Sequence, residues 1–268
     1  MAIQTARDRV GAAHAADWAL SRGVASMTTA EVARMLGAPA VQVPQRMTAP
    51  KRRGEWITPA RGLWVPVPPE FRGWGGPPAT EFVDQLMAHL DVDYYVGWLA
   101  AASLHGAAHH APQVTRVATS RLVRPRQAGR ARLTFHERSR IGLLPTVGRT
   151  GRSGRFRVSS PEVTALDVAS DIGLAGGLDN AATVIADLAD EAALDDAALA
   201  AVAPLFADAA VRRVGWIVER FTGRRMDTLA AFAAESQSAP SRLHPSLPPA
   251  GAVDGRWGLR LNTKVEVE

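Results

Sequence analysis

Apolar positions in the first 66 residues follow a helical period and then switch to alternation. Residues 5 to 21 predict a first helix with Val10, Ala13, Trp18 and Leu20 on its buried side. The run TTAEVARMLG is sharper. Thr28 with Glu31 three residues later has the form of a capping box, Val32, Met35 and Leu36 share one helical face, and Gly37 stops the run. A turn through Ala38 and Pro39 leads to AVQVPQRMTAPKRRGEW, where Val43 and Met47 stand four apart and Gln42, Gln45, Arg46 and Thr48 fall on the other side. Pro44 suits a first helical turn, where its missing N–H would lack a partner anyway. Pro50 stands where a core leucine would close the helix, so this element is expected to be short or broken. EWITPARGLWVPVP then alternates about a Pro-Ala-Arg-Gly turn, the pattern of a hairpin with Arg61 at its tip. Helices joined by a tight turn and followed by a hairpin predict a winged helix-turn-helix over residues 1–66, with the third helix presented to the DNA major groove.

VPVPPEFRGWGGPPATE is too rich in proline and glycine for a sustained helix or central strand, and it predicts a linker over residues 67–80. Phe71 and Trp74 are expected to pack, so the linker is not a free tether. Residues 81–268 then predict a second domain. TEFVDQLMAHL and YYVGWLAAASLHG read as helices, and short extended runs follow near Val114 to Thr119, Arg130 to Arg138 and Arg155 to Ser159. Helices return at SPEVTALDVAS, capped by Ser160, and at LDNAATVIADLA, DDAALAAVAPLF, DAAVRRVGWIVERF and RMDTLAAFAA. RWGLRLNTKVEVE is a last extended run that would return to the sheet. Helices and strands segregate, which gives the fold class α+β: a winged helix-turn-helix plus a larger C-terminal α+β domain with a small sheet and several helices.

Composition bounds the chemistry. Hydrophobic residues make up 47% and charged residues 21%, which implies a packed core. No apolar run approaches the roughly 18 residues of a membrane span, and the first residues lack the apolar segment of a signal peptide. A cytoplasmic protein with no membrane partner is expected. The absence of cysteine excludes disulfides, thiol catalysis and Cys-ligated zinc.

Charge is uneven. Residues 1–66 hold 9 Lys and Arg against 4 acids, and residues 116–157 hold 12 against 1. Lys51 and Lys264 are the only lysines, so nearly every cation is a guanidinium, whose planar fork suits phosphate and carboxylate. Within TSRLVRPRQAGRARLTFHERSR, strand alternation puts Arg130, Arg132, Thr134, His136 and Arg138 on one face and Ala131, Leu133, Phe135 and Glu137 on the other. Arg155 and Arg157 flank Phe156 in the same manner, and Arg116 and Arg121 belong to the same block. Paired strands would make one cationic surface over an apolar one. That surface is either a solvated face or a match to something negative.

Catalytic patterns find little support. His105 and His109 stand four apart, but Gly106 interrupts them and no carboxylate is near. Asp91 and Asp93 resemble a metal-binding Asp-x-Asp but lack the preceding Gly-Ser, and read as a turn. GRTGRSGR has no Lys-Ser/Thr pair after its glycines and reads as a flexible connection between strands. The nuclease pattern of an Asp followed by Glu-x-Lys has only the near match Asn262-Thr-Lys264, without the acid, and Ser159-Ser160 has no adjacent base. No catalytic residue, metal ligand or cofactor is expected.

YYVGWLAAASLHGAAHHAPQ, followed in order by VATSR, VSSPEVTALDVAS, GLDNAATVIADLA, VRRVGWIVE, LHPSLPPAG and RWGLRLNTKVEVE, resembles the AbiEi family of antitoxins from type IV abortive-infection toxin–antitoxin systems. The resemblance spans nearly the whole chain. It implies a repressor of its own operon that binds inverted repeats in double-stranded DNA. It also implies a partner toxin that is a nucleotidyltransferase, counteracted through transient or indirect contact. On this reading Gln42, Gln45, Arg46 and Thr48 face bases, while Lys51, Arg52, Arg53 and Arg61 contact phosphates. Arg116, Arg121, Arg130, Arg132, Arg138, Arg155 and Arg157 form a second basic surface, for DNA or for the antitoxin activity. The alternatives are a solitary winged-helix regulator without a toxin, and a nuclease or phosphoryl-transfer enzyme acting on a partner.

Overall fold

The structure is a computed structural model that describes residues 9–107, 112–192, 194–236 and 238–267. The chain folds into two compact units. The first runs through Tyr94 and takes in Gln113–Arg138 and Gly148–Arg157; the second comprises Tyr95–Pro112, Ser139–Val147 and the chain from Val158 onward.

The first unit opens with a 3-10 turn, Ala12–His14, and helix α1, Ala15–Ser21. The buried face differs from the predicted one. Ala15, Ala16 and Ala19 are buried, Ala13 is exposed, and Val10, Trp18 and Leu20 are half-buried; residues 5–8 lie outside the described residues. Val10 and Trp18 do pack against the core from its edge, and the Arg22 guanidinium lies 4.4 Å from the Trp18 ring centroid. Strand β1, Met27–Thr28, leads into α2, Thr29–Leu36, where the predicted capping box is complete and Gly37 closes the helix in the left-handed conformation. A 3-10 turn, Ala40–Gln42, precedes α3, Val43–Arg46, and α4, Thr48–Arg52. Strands β2, Trp56–Ala60, and β3, Leu63–Pro66, form the hairpin in a sheet of order β1-β3-β2. Val32, Met35, Val43, Met47, Trp56 and Trp64 share one core.

The proline-rich segment does hold a helical turn, α5, Pro69–Arg72, with Pro69 at the first position, where its fixed φ and missing N–H cost nothing. Trp74 does not pack as expected and is 70% exposed. The segment is seated instead by backbone. Gly75 and Gly76 lie against Gly129, and a Cβ on Gly129 would collide with the Gly75 carbonyl. Helix α6, Val83–Leu90, follows.

YYVGWLAAASLHG is not helical throughout. Tyr94–Val96 forms β4, and α7, Trp98–Leu104, starts after Gly97. All three strand residues are buried, which is why their apolar run resembles a core helix in sequence. Strands β5, Val114–Thr119, β6, Arg126–Ala128, and β7, Ala131–Glu137, are neighbours. β5 pairs parallel and β6 antiparallel with β7. GRTGRSGR is no flexible connection: β8, Thr146–Gly151, and β9, Gly154–Ser159, are adjacent strands across it. Arg152 and Ser153 make the turn, and Gly154, at φ 126°, opens β9 in a conformation that favours glycine.

The second unit is mainly helical: α8, Pro161–Ser170, α9, Leu178–Glu191, α10, Asp196–Val202, α11, Asp208–Thr222, and α12, Asp227–Glu235. Ser160 caps α8 by accepting from the Val163 N–H. Short strands β10, Ser241–Arg242, β11, Val253–Asp254, and β12, Leu259–Arg260, make a separate sheet of order β10-β12-β11. The final run therefore contributes two paired residues to that small sheet and does not rejoin the strands around β7.

Candidate nucleic-acid interface

The predicted third helix forms in two pieces, α3 and α4. A proline ring collides with the carbonyl four residues earlier, which for Pro50 is that of Arg46. The break falls there: Met47, at φ −89° and ψ 2°, separates α3 from α4. Val43, Met47 and Pro50 point into the core, so the outward face is fixed by what is buried on the inward one.

Gln42, Gln45, Arg46 and Thr48 all lie on that outward face and are exposed. They are not equivalent. Arg46 donates from Nε and Nη2 to Gln42 Oε1, at 3.3 and 3.1 Å. Thr48 Oγ1 donates back to the Pro44 carbonyl at 3.0 Å. Gln45 has no side-chain partner among the described residues.

The cations expected on phosphates divide similarly. Lys51 Nζ donates to Thr58 Oγ1 at 3.0 Å and lies 5.8 Å from the centroid of the Trp64 ring. Arg53 makes two bonds to Glu55, at 2.7 and 2.9 Å, and this carboxylate raises the guanidinium pKa further. Arg52 faces solvent without a partner among the described residues. Arg61 is exposed at the tip of the β2–β3 wing, whose turn is held because His89 Nε2 of α6 lies 3.0 Å from the Arg61 carbonyl.

The second basic surface is less uniform than its sequence. Leu133 and Phe135 are buried, so alternation in β7 places Arg132, Thr134 and His136 opposite the core. The register pairs Arg116 with Thr134 and Val114 with Arg132, which brings Arg116 and Arg132 onto one face. Arg116 is half-buried, and this burial lowers its pKa. Arg155 and Arg157 share one side of β9, but Arg157 is committed to Asp93 at 3.3 Å and stacks 4.9 Å from the Tyr94 ring centroid. Arg121 donates to the Leu90 carbonyl at 2.6 Å and so covers the end of α6. Arg130 belongs to the turn between β6 and β7, not to the strand, and its stem crosses Gly75; Arg138 lies just past the strand end.

A metal site has no geometry among the described residues, where no group of three or more His, Cys, Asp or Glu converges. His105 Nε2 lies 2.8 Å from the Ser159 carbonyl, and His109 lies outside the described residues. Asp91 takes the left-handed conformation at the end of α6, as the turn reading requires. No described helix is long and apolar enough to cross a membrane.

Residues 95–220 match the family model for the AbiEi antitoxin C-terminal domain. The chain carries an AbiEi antitoxin domain. The crystal structure of the RV2827C protein from Mycobacterium tuberculosis is similar at TM-score 0.63 over 94% of this chain and 92% of that one, with 14% sequence identity. That likeness concerns the fold alone. Comparison with curated proteins finds no match. An AbiEi antitoxin is a regulatory, non-enzymatic kind of protein, and the domain implies a toxin partner.

Within the AbiEi domain, the motif blocks turn out to be internal pins. Tyr95 Oη donates to the buried Asp167 at 3.0 Å, and Trp98 Nε1 donates to Asp171 at 3.2 Å. In VRRVGWIVE, Arg213 is 5% exposed and donates to the carbonyls of Ala169, Arg242 and Leu243 at 2.8 to 3.0 Å. Arg212 donates to the carbonyls of Ala239 and Gly258 and to the hydroxyls of Ser238 and Ser241. Gly215 leaves room for the Trp257 ring, which a Cβ would strike. Sequence reading counted these arginines as charge and missed their burial. Val211, Val214 and Val218 mark one inward face of α11, and Arg212 and Arg213 fall off it; they are buried because this part of the helix is packed on every side, which periodicity does not show.

Proposed function

We propose that this protein is a DNA-binding antitoxin and autorepressor of a toxin–antitoxin operon. The observation that carries the DNA reading is the outward face of α3 and α4. Gln45 and Arg52 stand unpartnered there among the described residues, Gln42, Arg46 and Thr48 are exposed beside them, and Arg61 adds a cation on the wing. The arginines of β7 and β9 add phosphate contacts or form the surface that counteracts the toxin. The toxin expected for an AbiEi antitoxin is a nucleotidyltransferase, and the neighbouring reading frame distinguishes this reading from a solitary regulator.

Binding to the protein's own promoter duplex, measured across a salt series, tests the DNA reading. About six neutralised phosphates give a log–log slope of roughly −5, and a slope near zero overturns the model. Two variants separate the roles of the basic blocks. Replacing Arg52 and Arg53 with alanine is expected to weaken operator binding and preserve rescue from the toxin. Replacing Arg130, Arg132 and Arg138 is expected to reduce rescue; if it reduces only DNA binding, these residues are a further DNA clamp.

A further inference from the structure

The leading edge of the recognition element carries a base-reading chemistry that charge does not describe. Val41 sits in the 3-10 turn immediately before α3 and is 85% exposed, the most exposed large apolar side chain among the described residues. Val43, two positions on, is fully buried in the domain core. The turn thus sends one valine inward and one into water. A single exposed apolar residue is ordinary on a surface, but this one stands at the end of the element that a helix-turn-helix protein inserts toward base edges. The major groove offers one apolar group there, the thymine 5-methyl.

Beside Val41, the Gln42–Arg46 pair changes what each side chain can read. Glutamine recognises adenine by offering its carbonyl oxygen to N6 and its amide to N7. In this structure that oxygen is occupied by Arg46 Nε and Nη2. Gln42 retains only donors. Arg46 keeps its Nη1 hydrogens and a second Nη2 hydrogen, held in a fixed plane, which match the O6 and N7 acceptors of guanine.

We propose that this edge selects a duplex site containing a thymine and a guanine. Val41 covers the thymine methyl, Arg46 donates to the guanine, and Gln42 is a positioning residue for Arg46. The inference rests on the DNA-binding reading above.

The full-length protein is first used to recover its site from a randomised duplex library. The recovered duplex is then resynthesised with uracil for thymine or 7-deazaguanine for guanine, one position at a time. At one thymine, uracil is expected to weaken the wild type about fourfold, the value of one buried methyl, and to leave Val41→Ala unaffected. At one guanine, 7-deazaguanine is expected to cost the wild type roughly tenfold and Arg46→Ala nothing further. That penalty shrinks in Gln42→Ala and returns in Gln42→Glu, which restores an acceptor for Arg46. The wild-type measurements need no variant to fold. If uracil costs the wild type nothing at every thymine, or costs Val41→Ala as much, the Val41 assignment is wrong. If 7-deazaguanine costs nothing, or costs Arg46→Ala as much, or if Gln42→Ala keeps the whole penalty, the Arg46 assignment is wrong. Failure to recover any site defeats the DNA-binding reading itself, whereas a recovered site insensitive to both analogues defeats only this code.

Discussion

Arg52, at the end of α4, and Arg213, in the second turn of α11, carry the same guanidinium into opposite surroundings. The first is exposed and unpartnered among the described residues; the second is buried and donates to three backbone carbonyls. Three carbonyls supply partial negative charge without a carboxylate, so Arg213 is satisfied without an ion pair, and burial lowers its pKa. The difference teaches that a count of arginines locates charge and leaves open whether it is available to a ligand. Available donors on a folded, basic face are the interface candidates. Committed donors are part of the fold.

The comparison breaks most readily at Arg213. Arg213→Ala takes the donor from three carbonyls, those of Leu243 and Ala169 at buried contacts, and is expected to cost about 3 kcal/mol or more in urea denaturation. A loss below about 1 kcal/mol would mean that water replaces the guanidinium and that the residue is no pin. Gly215→Ala comes next. Its Cβ strikes the Trp257 ring, and overpacking of this kind costs about 1–3 kcal/mol, visible as a lowered thermal midpoint.

Glu219 sharpens the contrast through pH. Burial pushes its carboxyl up, but hydrogen bonds from Arg256, the Met226 N–H and Trp257 outweigh this and hold it below its ordinary value. A carboxyl depressed in the folded state contributes stability that is present above the unfolded-state pKa, about 4.3, and is lost as pH falls toward the lower folded value. The stability gap between wild type and Glu219→Gln is therefore expected to narrow as pH falls from about 5. A gap that widens on acidification contradicts the assignment.

The smallest expected stability change is at Arg52, where alanine should leave the denaturation midpoint at the wild-type value and reduce the magnitude of the salt slope by about one. Arg53→Ala should change DNA affinity less, because Glu55 already shares that guanidinium. Equal effects at the two positions would show that the Glu55 pair opens at no cost when DNA binds.

Local chemistry made much of the fold legible. The Thr28–Glu31 box, the Gly37 stop, the β2–β3 hairpin and the Ser160 cap each depend on residues within a few positions of one another, and each forms as read. The outward face of α3 and α4 was readable for the same reason, since Val43 and Met47 define its buried side. β4 was misread because a fully buried three-residue strand has no alternation to show. β8 was missed because its two glycines and Arg149 give no apolar face, and its partner strand supplies the order.

By itself the sequence determined the Thr28 start and Gly37 stop of α2, the Ser160 start of α8, which positions along β7 are apolar, and where positive charge concentrates, because these follow from neighbours along the chain. The tertiary structure decided which arginines remain free. Arg121 meets the end of α6, Arg157 meets Asp93, and Arg212 and Arg213 meet carbonyls from distant segments. A guanidinium's availability depends on acceptors brought to it in space, and Val41 is left bare just before α3 by the same folding that buries Val43.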